Sequence, residues 1–436
     1  MLRLALNLSI IAAFIAVLYF GSKQEVLEPN TQVKIPQIAY ENSGLAYLNS
    51  ARKSVGLAPF STNPILENSA KNHLNYLKKI GSVTHYQNEK NEYFSGYSPS
   101  HRALSAGFST NFVVENISSK HLEINDSIDG LLSAIYHRFN FLSFNFDEIG
   151  YFEDGEYYVF EISNRAVSRI CQNGDSLSRV FVTNICKDSK KTISKRNFDL
   201  ATKPKEPEFL IFPNENSPTL AVFGSEDPDP LPNCEISSAP ISIEFNPNDE
   251  IKLKSFKILK NSKELENSIL LRKENDPNKK LNERQFALFL PLPFDFGANY
   301  TAVVSYEKNG QSLEKKWEFS TKEPKFPYFV LKNAAIIELE NDKTYELFFA
   351  PKHCNDMLKE YKYKKPMGAN LDIIDSGTNQ LRIKANGADG DIIEFESAGH
   401  SAKFIIKNSQ KNFDFKLIFV GILAIILFFF ISKAKF

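Results

Sequence analysis

Apolar positions recur at helical spacing three times in the first third of the chain. Over 41–55, Leu45, Leu48 and Arg52 share a face, and Gly56 ends the pattern. The second stretch opens with Asn63 as N-cap and Pro64 at the first helical position. It places Leu66, Ala70, Leu74 and Leu77 along one face before Gly81. The third runs from Asn125 or Asp126 through Ile128, Leu131, Leu132 and Ile135 to Tyr136. The period then falls to two over 149–153 and 157–162, and the Asp154-Gly155 pair between them predicts a hairpin with a type I′ turn.

From about Lys205 the chain reads as short strands separated by Pro, Asn and Gly. Strands are expected over 241–245, 253–259, 286–290, 300–306 and 316–320, with a tight turn at Asn309-Gly310 and an extended Pro-rich loop over 227–232. Regular spacing of this kind predicts a β-sandwich over 205–323. A second β-rich module is expected over 324–410, with strands near 335–339, 345–349, 381–385, 392–396 and 404–406. No long internal repeat relates the two modules. The fold class is therefore α+β, with an α-and-β domain over 36–169, a cysteine-bearing hairpin or linker over 170–204, and two sandwich-like modules after it.

Both ends are apolar. Arg3 precedes a run over 4–20, so residues 1–21 read as a signal sequence or an N-terminal anchor, followed by a polar linker over 22–35. A second run over 417–431 is flanked by Lys416, Lys433 and Lys435. It is shorter than the ~20 residues of an ideal span, but snorkelling lysines and the neighbouring Phe415 and Ser432 let 415–432 serve as a transmembrane helix. Lysines beyond it place the tail in the cytosol and the bulk of the chain in the periplasm or outside the cell.

Charge balance narrows the partners. Lys plus Arg and Asp plus Glu both number 52, so no global field favours nucleic acid, and recognition must come from local sites. The four cysteines, Cys171, Cys186, Cys234 and Cys354, contain no CxxC pair, which argues against a thiolate zinc site. In an oxidising compartment Cys171 and Cys186 are expected to staple a hairpin through a strand at 179–183.

The first domain also offers scattered polar residues: His85 after the second helix, Glu115 before Asn116 and Ile117, and His137 with Arg138 after the third helix. Two imidazoles and a carboxylate suit a divalent metal or an acid/base pair. Their order and surroundings add to this. The segments Leu48-Asn49-Ser50-Ala51-Arg52 to Gly56-Leu57, Thr84-His85, Phe94-Ser95-Gly96-Tyr97, Arg102-Ala103 to Ala106-Gly107-Phe108, Glu115-Asn116-Ile117, His137-Arg138-Phe139-Asn140-Phe141-Leu142 and Phe146-Asp147-Glu148-Ile149-Gly150 resemble, in sequence order, the landmarks of bacterial CAP domains. These belong to the cysteine-rich secretory protein and pathogenesis-related superfamily, also called SCP domains. The resemblance covers 39–164, about a third of the chain.

That resemblance implies an α-β-α sandwich with a cleft lined by two His and one or two acidic residues. His85, Glu115 and His137 match the first His, the first Glu and the second His, with Arg138 beside them. The family's second Glu has no counterpart over 131–136, and His101 stands where many relatives carry Asp. The stretch 226–232, with 287–293, Tyr300 and Trp317-Glu318-Phe319, resembles the immunoglobulin-like domain that follows some bacterial CAP domains.

The expectation is a membrane-anchored, exported protein whose cleft at His85, Glu115, His137 and Arg138 binds a small apolar ligand, a peptide or an envelope component. Zinc or another divalent metal would sit on His85, His137 and Glu115. The competing readings are a metal-dependent hydrolase using the same His and Glu, and a non-catalytic adhesion or envelope-structural protein. Glu123-Ile124-Asn125-Asp126-Ser127 also fits an extended acceptor pattern for bacterial N-glycosylation, and Asn299-Tyr300-Thr301 the shorter one.

Overall fold

Asn63 starts its helix as its sequence requires: the Asn63 side-chain Oδ1 accepts the N–H groups of Ile65 and Leu66 at 2.9 and 3.3 Å, and helix α2 runs Pro64–Ile80 to a left-handed Gly81. The computed structural model describes residues 26–30, 44–121, 123–175, 179–397 and 399–408. Helix α1 spans Gly44–Ser54, α2 follows, and α3 is Pro99–Ala106. The third predicted helix divides in two, α4 at Ile124–Ser133 and α5 at Ile135–Phe141, because Ala134 adopts an extended conformation between them. The N-cap of α4 is Glu123, so Asn125 lies inside the helix and does not cap it.

Four strands form the sheet of the first domain: β1 at Ser61–Thr62, β2 at Val113–Ser119, β3 at Glu148–Glu153 and β4 at Tyr157–Ser163, in the order β1-β3-β4-β2. Alternation along β4 gives each face its own core. Tyr157 and Val159 join Ile117 under Ala70, Leu74 and Leu77 of α2, whereas Tyr158, Phe160 and Ile162 pack with Leu48 of α1, Leu131 and Leu132 of α4 and Phe141 of α5. The result is three layers, α-β-α. Gly150 is needed where α2 crosses β3, since a side chain there would meet the Glu67 backbone nitrogen at 2.0 Å. The β3–β4 connection is not type I′. Gly155 has positive φ but Asp154 does not, and the Asp154 carboxylate instead accepts the N–H groups of Glu156 and Tyr157.

The cysteine-bearing stretch differs from its expected hairpin. Cys171 lies on helix α6, Arg165–Asn173, and is bonded to Cys186, which bridges Thr110. The short strand Phe181–Val182 pairs instead with Ile193–Ser194, before helix α7 at Lys195–Thr202. Cys234 is bonded to Cys354.

The middle module is a two-sheet sandwich. One sheet runs Ile269–Arg272, Gln285–Phe289, Ile241–Phe245, Phe209–Phe212, and the other carries the long strands Ile251–Lys260, Asn299–Lys308 and Gln311–Thr321. Ile243, Phe245 and Leu288 of the first meet Ile258, Val304 and Trp317 of the second in a common core. Together with the first domain it makes one compact unit, which among the described residues covers 44–121, 123–175, 179–325 and 351–357.

The other unit takes in, among the described residues, 26–30, 326–350, 358–397 and 399–408. It too is a sandwich, with Ala334–Glu340, His400–Lys407 and Ile392–Ser397 in one sheet and Thr344–Phe349, Gln380–Asn386 and Asn370–Gly377 in the other, closed over Leu347, Ile383, Phe395 and Phe404. The apolar runs over 4–20 and 417–431 lie outside the described residues. No helix among the described residues is long and apolar enough to cross a membrane.

Candidate functional site

Two adjacent residues of β2 organise the site, because their side chains leave opposite faces of the sheet. Glu115 points to the α2–α3 layer, and Asn116 points to α5.

On the first face, Glu115 is fully buried and accepts from His85 Nδ1 at 2.9 Å and from Arg102 Nη2 at 2.5 Å. Arg102, on α3, also donates to the His85 carbonyl at 3.0 Å, so one guanidinium fixes both the backbone of His85 and the carboxylate behind its ring. Burial by itself would raise the Glu115 carboxyl, but the Arg102 cation, the neighbouring His73 ring and the His85 hydrogen bond pull it down to about 2. Its register partner Glu161 is also fully buried, 3.6 Å from Arg102 Nε and accepting from Ser69 Oγ at 3.2 Å. Burial, and then the Glu115 charge, push Glu161 well above the usual carboxylate range. Of the pair, Glu115 is therefore the stronger acid and Glu161 the weaker. His73, one turn along α2 from Ala70, completes the floor: its Nε2 donates to the Thr84 carbonyl at 2.9 Å and its Nδ1 accepts from Gln87 at 2.7 Å. Burial takes His73 down to about 4, so it is neutral.

On the second face, the Asn116 amide donates to the His137 carbonyl at 2.9 Å, and its oxygen accepts from Asn140 at 2.9 Å. The His137 ring turns to a carboxylate from outside the first domain. Glu226, in a Pro-rich loop of the middle sandwich, lies 2.9 Å from His137 Nδ1 and accepts the Ile135 and Tyr136 N–H groups at 2.6 and 3.1 Å. That explains the break at Ala134: the first donors of α5 need an acceptor, and Glu226 supplies one at the positive end of the helix. Ala134, Ile135, Tyr136 and Phe139 also pack with Phe223, Leu271 and Phe289 of the sandwich, so α5 belongs to both modules.

The two faces converge at the mouth. The rings of His85 and His137 lie 6.0 Å apart and nearly parallel, at 26°. Their side chains are 29 and 10 % exposed, which gives both rings access to solvent, whereas Glu115 is sealed behind them. Each Nδ1 faces a carboxylate, and a carboxylate only accepts, so each Nδ1 carries a proton and the neutral form of either ring presents its lone pair on Nε2.

Of the expected cleft residues, the structure brings His85, Glu115 and His137 together and turns Arg138 elsewhere. The Arg138 guanidinium is buried, donating to the Leu132 carbonyl at 2.5 Å and Ser242 Oγ at 2.9 Å and lying over the Phe212 ring, so it ties α5 to the sandwich. His101 is exposed at the start of α3. Among the described residues no group of three or more His, Cys, Asp or Glu side chains is arranged to hold a metal ion.

A helix-covered sheet with two opposed, carboxylate-backed imidazoles at its edge defines an α-β-α histidine-cleft domain. Residues 45–152 match the family model described as the cysteine-rich secretory protein family, CAP. The chain carries a CAP domain. Among solved structures it is similar to an extracellular protein containing an SCP domain from Bacillus anthracis, with 19 % identity over 31 % of this chain and a TM-score of 0.25. It is also similar to an outer surface protein from Borrelia burgdorferi, with 19 % identity over 31 % of this chain and a TM-score of 0.23. The matched region spans 44 % of the first protein and 95 % of the second. No curated protein matches the chain. The family match ends before the middle module, whose immunoglobulin-like character is an expectation only.

Proposed function

We propose that this is an exported binding protein, anchored in the membrane through its apolar ends, whose cleft takes up a divalent cation of the zinc type together with an envelope ligand. The opposed His85 and His137 rings, each backed at Nδ1 by a buried carboxylate, carry this reading. A carboxylate on the far nitrogen fixes the tautomer and raises the basicity of the other nitrogen, as metal-bound imidazoles require. The chain supplies two imidazoles, one fewer than the three protein ligands usual at an open zinc site, so the proposed ion takes its remaining positions from solvent or ligand. Glu115 supports His85 from behind, since both its oxygens are already bonded.

Binding is better supported than hydrolysis. Glu115 sits at about 2 and is sealed from solvent, which makes it a poor general base at neutral pH. The test is a calorimetric zinc titration of the full-length chain in detergent. The wild type should take up one zinc per chain, and His137→Ala should abolish that uptake while costing only about 1 kcal/mol of stability. No uptake by the wild type, or equal uptake by the variant, contradicts the reading.

A further inference from the structure

Beside the imidazole cleft, the segment between α2 and α3 exposes an unusual number of aromatic rings. Tyr86, Tyr93, Phe94 and Tyr97 are 56, 53, 41 and 58 % exposed, within a dozen residues of one another. Tyr86, Phe94 and Tyr97 join Tyr76 of α2 around an open basin of about 400 Å³, with Asn88 and Glu89 among its lining residues. The volume lies in the range of small-ligand sites, and exposed apolar surface gathered in one place marks recognition more often than chance.

The rings are held in place from beneath. Gln87 is buried. Its side-chain oxygen accepts the Ser95 N–H at 2.7 Å, its amide donates to His73 at 2.7 Å, and its backbone N–H donates to the Tyr97 carbonyl at 2.9 Å. The Tyr76 hydroxyl accepts the Asn88 N–H at 2.8 Å and the Asn91 amide at 3.0 Å. Tyr86 and Tyr97 lie against each other at 5.2 Å. The segment thus presents aromatic surface in a fixed arrangement, which lowers the ordering entropy that a ligand must overcome.

We propose that this basin binds a neutral oligosaccharide. A pyranose ring has a face of C–H bonds that stacks on an aromatic ring and an equatorial belt of hydroxyls that donate and accept. The lining matches both: three exposed aromatic rings over the buried Tyr76, a carboxylate that accepts from hydroxyls, and an amide that can donate. A lipid chain would meet no aliphatic side chain in this lining, and an anionic headgroup would meet Glu89 and no cation. A polyproline segment could also lie on aromatic rings, but it carries no N–H or O–H for Glu89 to accept. The proposal does not depend on the zinc reading, since none of these residues is His85 or His137.

The experiment titrates chitotetraose, cellotetraose and maltotetraose into the full-length chain by calorimetry, with and without EDTA. At least one tetraose should bind, equally with the chelator present, and Tyr86→Ala and Tyr97→Ala should each weaken it by about tenfold or more. Both rings are exposed, so the variants should melt with the wild type. On the wild type alone, saturation-transfer NMR should place sugar C–H protons against tyrosine rings. The proposal is overturned if no tetraose binds, if the tyrosine substitutions leave binding unchanged, or if EDTA abolishes it. It is equally overturned if a hexaproline peptide or phosphatidylcholine vesicles bind in a Tyr86-dependent way and the sugars do not.

Discussion

Glu226→Gln is expected to lower zinc affinity 10- to 100-fold while leaving the chain folded, although Glu226 lies outside the family's domain. With its oxygen in the place of Oε1, glutamine still accepts the Ile135 N–H and, at 3.4 Å, the Tyr136 N–H, so α5 keeps its cap. Its amide nitrogen, however, only donates; against His137 Nδ1 it opposes the tautomer that exposes Nε2. Glu226→Ala should lose the cap as well, with a stability cost of about 2–4 kcal/mol from two unpaired helix donors and a bare imidazole. Melting curves and zinc titrations on the same two variants separate positioning from simple support. A purely structural Glu226 would leave zinc affinity unchanged in the glutamine variant.

Arg52→Met should be the most destabilising of the conservative substitutions in the first domain, by roughly 3–5 kcal/mol. The guanidinium is 1 % exposed, lies 3.7 Å over the Phe60 ring, and donates to the carbonyls of Ala58, Phe141 and Phe146 at 2.9, 2.5 and 2.6 Å. Burial lowers it to about 9, so it is still a cation at neutral pH. Methionine fills the path of the stem but leaves three buried carbonyls without a donor. For a unit of this size the loss corresponds to a melting temperature lower by roughly 10 °C, read by differential scanning calorimetry. A shift of a degree or two would show that water replaces the guanidinium.

The contrast between Arg52 and Glu226 shows what the sequence could reveal. Arg52 stands on the apolar stripe of α1, so its burial was legible from periodicity, although its three acceptors come from loops that only folding brings close. Helix α2 and most strands followed from caps, Gly and alternation, since those signals act within a few residues. Glu161 also left a trace, as a lone carboxylate in the otherwise apolar run of β4. His73 lies three residues after Ala70 and one before Leu74, a polar interruption of the α2 stripe. Glu226 left none. Its partner is separated from it by 89 residues, its loop reads as an ordinary Pro-rich connection, and the helix break that it stabilises is invisible in a pattern running smoothly from Ile128 to Tyr136. The same separation explains Arg138, which carried a family landmark but bonds to Ser242 of the next module. The expected Cys171–Cys186 bond is present, but it joins helix α6 to the Thr110 edge and not the two arms of a hairpin, because a helix of nine residues gives little periodic signal.

The central claim is that His85 and His137 both offer Nε2 because buried carboxylates hold their Nδ1 protons. Long-range proton–nitrogen correlation spectra of the full-length chain, labelled at histidine, test it directly, and His73 serves as an internal control because its Nε2 donates to Thr84. At neutral pH His85 and His137 should show protonated Nδ1 and unprotonated Nε2, His73 should show the reverse, and added zinc should shift only the Nε2 resonances of the first two. An Nε2–H tautomer at either His85 or His137, or zinc shifts that miss both rings, would contradict the account.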